Sequence, residues 1–222
     1  MTSAPSIPEL FWMSGSPPSW RVMMALEHKG IPYTSTRLDV AAGDLNKPEH
    51  LALNPRGQVP VLRHDGLVVR ESVAIIAYLD SVWRDPPLFG ASAKETAAVW
   101  QSVMDTEINL YPHVTAMARI VFRGSAEARA DDLAAAARSL GPELAALNTQ
   151  SAGARYLAGA QLSAADFVAF PAVQLVRRVL LKDTAPAGLA HDLELCPALA
   201  AWEERIRRLP WFEKTYPPHW RS

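Results

Sequence analysis

Apolar and polar positions change their spacing repeatedly along the first third of the chain. Residues 9–13 form a short apolar and aromatic run that predicts a strand. Residues 19–29 carry Val22, Met23 and Leu26 at helical spacing and predict a helix. The next predicted elements are a strand, a short helix, two strands joined at Asp65-Gly66 and a further helix, at residues 33–38, 47–53, 61–63, 67–69 and 71–82. The order β-α-β-α-β-β-α predicts helices layered on a sheet of four strands.

The strand pattern disappears beyond this segment. Residues 84–91 contain adjacent prolines and a glycine, so they predict a linker between a domain at 1–83 and a second domain at 92–222. Alanine, leucine and arginine then dominate, and the predicted helices lie at residues 92–122, 126–148, 164–181 and 197–208. Pro112 falls inside the first of them and should kink it or end it early. The predicted fold class is therefore α/β followed by all-α.

A capping box begins the third of these helices. Ser163 and Asp166 have the spacing of the motif, and Leu162 and Phe167 are placed as a hydrophobic staple. Both parts serve helix initiation, and loss of Ser163 should cost about 1 kcal/mol or somewhat more. We assign this motif no chemistry.

Composition narrows the class of protein. Hydrophobic residues make up 49% of the 222 residues, charged residues make up 20%, and the net charge is −1. These values indicate neither a nucleic-acid footprint nor binding to an anionic membrane. No apolar run approaches the roughly 20 residues of a membrane span, and residues 1–9 lack the pattern of a signal peptide. The single cysteine, Cys196, excludes an internal disulfide, and the six histidines lack metal-binding spacing. We expect a soluble, cytoplasmic protein without a metal.

Residues 54–60 read Asn-Pro-Arg-Gly-Gln-Val-Pro and lead directly into an apolar pair. Proline belongs at the first residue or the edge of a strand, because it lacks a ladder donor. If the Val59–Pro60 bond is cis, the N–H and C=O of Val59 turn outward and stay unpaired. A short peptide could pair with them as an added strand. The pattern therefore indicates a protein that holds a peptide-like ligand by its backbone.

Four motifs in order resemble those of cytosolic glutathione transferases. Residues 14–22 resemble the active-site segment of the serine-type classes, and residues 54–60 with Glu71-Ser72 resemble the glutathione-binding elements. The capping box resembles one in the family's helical domain. Residues 216–220 are similar to the ending of the rho-like branch known from fish, which has theta- and zeta-like relatives.

This resemblance covers the chain from about residue 9 to residue 220. It implies a thioredoxin-like domain that binds glutathione, followed by an all-helical domain that forms an electrophile pocket. It also implies a homodimer. Glutathione would be a co-substrate, and no cofactor, nucleic acid or membrane is expected as a partner.

Ser16 is the predicted catalytic residue. The thiolate of glutathione is the nucleophile, and a hydroxyl donor stabilises it by hydrogen-bonding the charged form. Ser16 follows the first predicted strand, and the adjacent prolines 17 and 18 lead into the helix. The alternative is a plain turn or capping serine. Ser14 and Ser19 are rivals for the same role, and both are also predicted to contact glutathione.

Charge complementarity predicts the other glutathione contacts. Glu71 would bind the γ-glutamyl ammonium, and Ser72, at a helix start, would bind the α-carboxylate. Their alternative is a simple helix cap, and both roles are compatible. The remaining predicted contacts are Gln58 through its amide, Val59 through its backbone, Pro60, and Lys47 at the glycyl carboxylate, with His50 and Arg56 nearby.

The second-substrate pocket is predicted from apolar and aromatic side chains near these elements. Its candidates are Met13, beside Phe11 and Trp12, then Met104, Tyr111, His113 and Met117 on the interrupted helix, and Trp220 in the tail. Such a pocket would suit a hydrophobic electrophile. The alternative is that these side chains belong to the core.

The leading hypothesis is a glutathione transferase that conjugates glutathione to small hydrophobic electrophiles. A zeta-like, glutathione-dependent isomerase is the enzyme alternative. Those relatives carry Ser-Ser-Cys where this chain has Ser16-Pro17-Pro18, which argues against isomerase chemistry. A non-catalytic glutathione- or ligand-binding module is the alternative of a different class.

Overall fold

The structure, a computed structural model, describes residues 6–221 of the chain. The chain folds as two units, one holding the chain up to Leu88 together with the tail from Pro210, the other holding Phe89–Leu209. The division after Leu88 lies inside the predicted linker. The prediction places residues 92–222 in one helical domain, whereas the tail groups with the first unit. Within the described residues, none of the helices combines the length and apolar character that crossing a membrane requires.

A mixed sheet lies at the centre of the first unit. Its strands are β1 (Glu9–Trp12), β2 (Thr34–Arg37), β3 (Val61–His64) and β4 (Leu67–Arg70). They lie in the order β2-β1-β3-β4, with β1 parallel to β2 and antiparallel to β3, and with β3 antiparallel to β4. Leu10 of β1 pairs with Leu62 of β3, and neither side chain has exposed surface. The two central strands therefore form the core of this unit.

The helices of this part are α1 (Pro17–His28), α2 (Pro48–Leu53) and α3 (Ser72–Val82), with a 3₁₀ turn at Asp44–Asn46. Helix α1 begins at Pro17 rather than at the predicted Ser19. The reason is that prolines fit the first helical positions, whose N–H groups have no intrahelical partner. Helices α1 and α3 pack together and bury Leu26 and Ile76 completely. The β-α-β-α-β-β-α order confirms the thioredoxin-like fold.

The second unit is helical, as predicted. Its helices are α4 (Ala93–Asp105), α5 (Tyr111–Phe122), α6 (Ala130–Gly153), α7 (Ala164–Leu180), α8 (Leu189–Glu194) and α9 (Pro197–Arg207). The sequence pattern does not predict α8, because six residues are too few to show a helical period. The fold class of α/β followed by all-α is confirmed.

The helix predicted at residues 92–122 is interrupted just before Pro112. A π-helical turn spans Thr106–Leu110 between α4 and α5, and Pro112 lies in the first turn of α5. Proline lacks an N–H, and its ring crowds the carbonyl group four residues earlier. A wider turn before Pro112 relieves this conflict, so helical structure continues from α4 into α5 without a gap in the chain.

Asp166 is a buried polar centre of the second unit. Together with Ser163 it forms the predicted capping box at the start of α7. Its carboxylate accepts hydrogen bonds from the N–H groups of Leu157 and Ser163 at 3.0 Å each, and from the Trp202 indole at 2.8 Å. Burial raises the pKa of this carboxyl, and the hydrogen bonds oppose that rise. The motif therefore also joins α7 to the preceding loop and to α9.

The tail returns to the first unit through aromatic contacts with Trp20 of α1. It contains α10 and a 3₁₀ turn, at Phe212–Thr215 and Pro218–Trp220. The indole N–H of Trp20 donates to Thr215 Oγ1 at 2.9 Å. The rings of Tyr216 and Trp220 pack edge-on against Trp20, with centroids 5.6 and 5.5 Å away. These contacts explain why the tail groups with the first unit.

Replacement of Asp166 by Ala should destabilise the protein by about 3 kcal/mol, because buried donors lose their acceptor. Glu95→Ala is the matched control, since Glu95 holds the equivalent position in the exposed capping box of α4. That change should cost about 1 kcal/mol or less. Urea denaturation followed by circular dichroism measures both losses. Equal losses would contradict the central role of Asp166.

Candidate functional site

Ser16 lies at the junction between β1 and α1 and caps the helix. Its Oγ accepts a hydrogen bond from the N–H of Ser19 at 3.4 Å, and Ser16 is 6% exposed. A hydroxyl offers two lone pairs and one hydrogen. The cap uses a lone pair and leaves the hydrogen for a ligand. The capping role and the catalytic role are therefore compatible at this residue.

The rival serines have other partners. Ser14 Oγ lies 2.7 Å from Nδ1 of His219 in the tail. Ser19 is 1% exposed, and its Oγ accepts from the N–H of Met13 at 3.5 Å. The sequence does not predict the contact of Ser14, because 205 positions separate it from His219. Ser19 is thus enclosed by the loop, whereas Ser14 is joined to the tail.

The loop at residues 54–60 is held by two buried side chains. The carbonyl of Gln58 accepts hydrogen bonds from Nδ2 of Asn54 at 2.9 Å and from Nε2 of His50 at 3.1 Å. The bond between Val59 and the following proline is cis. Within the described chain, no hydrogen bond joins the Val59 backbone to another backbone group. His50, predicted near a ligand carboxylate, instead supports the loop from inside, since it is only 4% exposed.

Glu71 precedes α3 in a backbone conformation that side chains rarely adopt. Its φ is +66°, and a residue held in such a region costs of order 1–3 kcal/mol. Its carboxylate lies 3.6 Å from Nη1 of Arg56, and both side chains are 68% exposed. An exposed ion pair contributes about 0–1 kcal/mol. A ligand ammonium group can therefore replace Arg56 beside this carboxylate.

Ser72 opens α3 and contacts a buried arginine of α1. Its Oγ accepts a hydrogen bond from Nη1 of Arg21 at 3.3 Å, and both residues are buried. Arg21 is absent from the predicted site residues, although an arginine flanked by the apolar Trp20 and Val22 is unusual in a buried helix face. Its positive charge adds to that of the α3 N-terminus, so an anionic ligand group is favoured there.

Lys47 is exposed and has a partner of its own. Its Nζ lies 2.6 Å from Oδ1 of Asp44, and its side chain is 56% exposed. The hydrogen bond to Asp44 raises the pKa of Lys47. A ligand carboxylate would compete with Asp44 for this ammonium group. The role of Lys47 in ligand binding stays a prediction.

The residues predicted for an electrophile pocket are divided between the two units. Met13 and Trp220 belong to the first unit, and the others belong to the second. Met117 has no exposed surface, so packing inside α5 and its neighbours accounts for this side chain. The partly or largely exposed members of the second group are Met104, Tyr111 and His113. A shared pocket stays a prediction.

Two features of this arrangement indicate the class of protein. The thioredoxin-like unit carries polar groups at the starts of its helices, and a helical unit follows it in the chain. The family model "Glutathione S-transferase, N-terminal domain" matches residues 15–82. The model "Glutathione S-transferase, C-terminal domain" matches residues 126–205. The chain belongs to the glutathione S-transferase family.

Relatives from several organisms resemble more than nine tenths of the chain. It is 30% identical to glutathione S-transferase A of Pleuronectes platessa, over 95% of this chain and 92% of that protein. It is also 30% identical to maleylacetoacetate isomerase of Rhizobium meliloti (strain 1021), over 93% of each chain. The crystal structure of a glutathione S-transferase from the Antarctic clam Laternula elliptica matches with a TM-score of 0.82 and 28% identity. It covers 98% of this chain and 95% of that one.

Glu71→Gly should be about 1 kcal/mol more stable than Glu71→Ala, because glycine adopts a positive φ without strain whereas alanine does not. Both variants lack the carboxylate, so the comparison isolates the backbone. The matched control is Arg70, an exposed strand residue, where the glycine variant should be less stable than the alanine variant. Urea denaturation midpoints measure all four. A Glu71→Gly variant no more stable than Glu71→Ala would contradict the strain.

Proposed function

We propose that the chain is a serine-type glutathione transferase that holds the glutathione sulfur beside the Ser16 hydroxyl. The thiolate then attacks small hydrophobic electrophiles. The observation that supports this most is the geometry of Ser16. Its Oγ accepts a hydrogen bond from the N–H of Ser19 at the start of α1, so the hydroxyl hydrogen stays available for a ligand. Family membership supports glutathione as the co-substrate. The resemblance of residues 216–220 to the ending of the rho-like branch supports the finer assignment to that branch.

The chemistry depends on the protonation of the sulfur. A free thiol has a pKa of about 8.5 and is mostly protonated near neutral pH. A hydrogen bond to a charged group is worth about 1.5–3 kcal/mol, which lowers the thiol pKa by roughly one to two units. The N-terminus of α1 adds a smaller contribution of the same sign. The thiol proton passes to solvent, and the sulfur electron pair forms the bond to the electrophilic carbon. The leaving group departs with the electron pair of its own bond.

The rest of the site would hold the peptide part of glutathione. Glu71 binds the γ-glutamyl ammonium, which displaces Arg56 from its weak pair. Ser72 and the first N–H groups of α3 bind the α-carboxylate. Val59 pairs with the cysteinyl backbone as an added strand would. Lys47 binds the glycyl carboxylate in exchange for Asp44.

A glutathione-dependent isomerase is the second candidate function. The observation in its favour is the relative from Rhizobium meliloti (strain 1021), which carries the name maleylacetoacetate isomerase. Against it, this chain has prolines 17 and 18 where zeta-like isomerases have a serine and a cysteine. The prolines provide neither a hydroxyl nor a thiol, so conjugation is the preferred function.

Ser16→Ala should lower kcat/KM for conjugation of glutathione to a chlorinated aromatic by about 10- to 150-fold, because it removes one hydrogen bond to a charged sulfur. Ser19→Ala is the control, since this enclosed hydroxyl accepts a hydrogen bond from the loop at Met13, and its loss should be much smaller. Steady-state kinetics measures both variants. Full activity in Ser16→Ala would contradict the mechanism.

Retention of the wild type on immobilised glutathione, without turnover of any electrophile, would instead favour a binding module.

We also propose that the chain forms a homodimer. Family membership supports it, and Met104 and Asp105 on α4 are both exposed. An exposed methionine is a side chain that interfaces favour. Size-exclusion chromatography with light scattering should give twice the chain mass of 24.3 kDa. A mass equal to that of one chain would contradict this proposal.

A further inference from the structure

The tail residue His219 contacts the loop that carries Ser16. Its Nδ1 lies 2.7 Å from the Oγ of Ser14, which is a hydrogen-bond distance whichever atom donates. Both residues belong to the first unit. Ser14 lies two positions before Ser16, so the imidazole holds the loop next to the proposed sulfur site.

A second contact fixes the same loop from the backbone side. Gly15 has a φ of +75°, and a Cβ built on it would lie 2.5 Å from Cε1 of His219 and 3.1 Å from Nε1 of Trp220. The imidazole therefore lies directly on the Gly15 backbone. Only glycine permits both the positive φ and this close approach. The loop sequence and the tail sequence are thus matched to each other.

The tail itself is fixed relative to Ser16 through Trp20. The backbone N–H of Trp20 donates to the carbonyl of Ser16 at 3.0 Å, in the first turn of α1. The indole of Trp20 donates to Thr215, and its ring packs against Trp220. One residue of α1 therefore holds both the capping serine and the tail that carries His219. The position of the imidazole relative to Ser16 is set by these contacts.

We propose that His219 is a positioning residue for the sulfur site of this transferase. This role of His219 rests on the proposed function, since His219 contacts the loop that carries Ser16. The imidazole fixes Ser14 and Gly15, so that the Ser16 hydroxyl points at the glutathione sulfur in one conformation. His219 acts through the loop and touches no reacting atom. Without it, a loop containing glycine gains conformational freedom, and small displacements of a reacting group lower rates strongly.

The test measures kcat and KM separately in His219→Ala and His219→Asn. The alanine variant should lose about five- to tenfold in kcat, the factor that one net hydrogen bond gives. Its KM for glutathione should change less, because Glu71 and Ser72 are untouched. The asparagine variant should recover most of the loss, because its side-chain amide offers a polar atom close to the place of Nδ1.

Two further variants separate positioning from general damage to the tail. Arg221→Ala removes the tail ion pair with Glu213 at 2.9 Å and leaves the loop contacts intact, so its kcat should equal that of the wild type. The double variant Ser14→Ala/His219→Ala should lose no more kcat than His219→Ala alone, because the loss of the imidazole already removes the contact through which Ser14 acts. Circular dichroism confirms that each variant is folded.

The outcomes are distinguishable from those for the proposed function. Two results overturn the role of His219 and leave the proposed function standing. They are wild-type activity in His219→Ala, and a double variant whose loss is the product of the single losses. An equal loss in His219→Asn and His219→Ala, or in Arg221→Ala, also overturns it, since that pattern indicates tail damage. A wild type that neither binds glutathione nor turns over an electrophile overturns the proposed function and this inference together.

Discussion

The arrangement of the candidate site depends on one hydrogen bond at the start of α1, from the N–H of Ser19 to the hydroxyl oxygen of Ser16. Helix starts leave N–H groups without intrahelical partners, and a serine at the cap satisfies one of them. Because the oxygen is the acceptor, its hydrogen stays available for another partner. The same residue therefore begins the helix and presents a donor in the positive field of the helix N-terminus. The structural role of Ser16 and its proposed chemical role are therefore compatible.

The candidate site is otherwise built from weak or strained contacts that a ligand can replace. Glu71 holds a positive φ, and its carboxylate forms an exposed pair with Arg56. Lys47 likewise pairs with Asp44 at the surface. Buried side chains, by contrast, fix the backbone. His50 and Asn54 do this for the loop at residues 54–60, because both hydrogen-bond the carbonyl of Gln58. The exposed charges are thus available for exchange, whereas the backbone that presents them is fixed.

The order of helices and strands could be predicted from the sequence, because apolar spacing, prolines and glycines act locally. The capping box at Ser163 and the interruption near Pro112 were predictable for the same reason. Contacts between distant positions were not. Nothing in the local pattern near Ser14 indicates His219, and the grouping of the tail with the first unit depends on the aromatic contacts of Trp20. The hydrogen bond from Arg21 to Ser72 could not be predicted either, because it depends on the packing of α1 against α3.

The most direct test of the account is a pH titration of glutathione bound to the wild type and to Ser16→Ala. Ultraviolet absorbance of the thiolate reports the fraction ionised at each pH. The account predicts that the wild type lowers the thiol pKa by roughly one to two units from its free value of about 8.5. The variant should return the pKa most of the way to that value. The same thiol pKa in both proteins would contradict the claim that the Ser16 hydroxyl stabilises the thiolate.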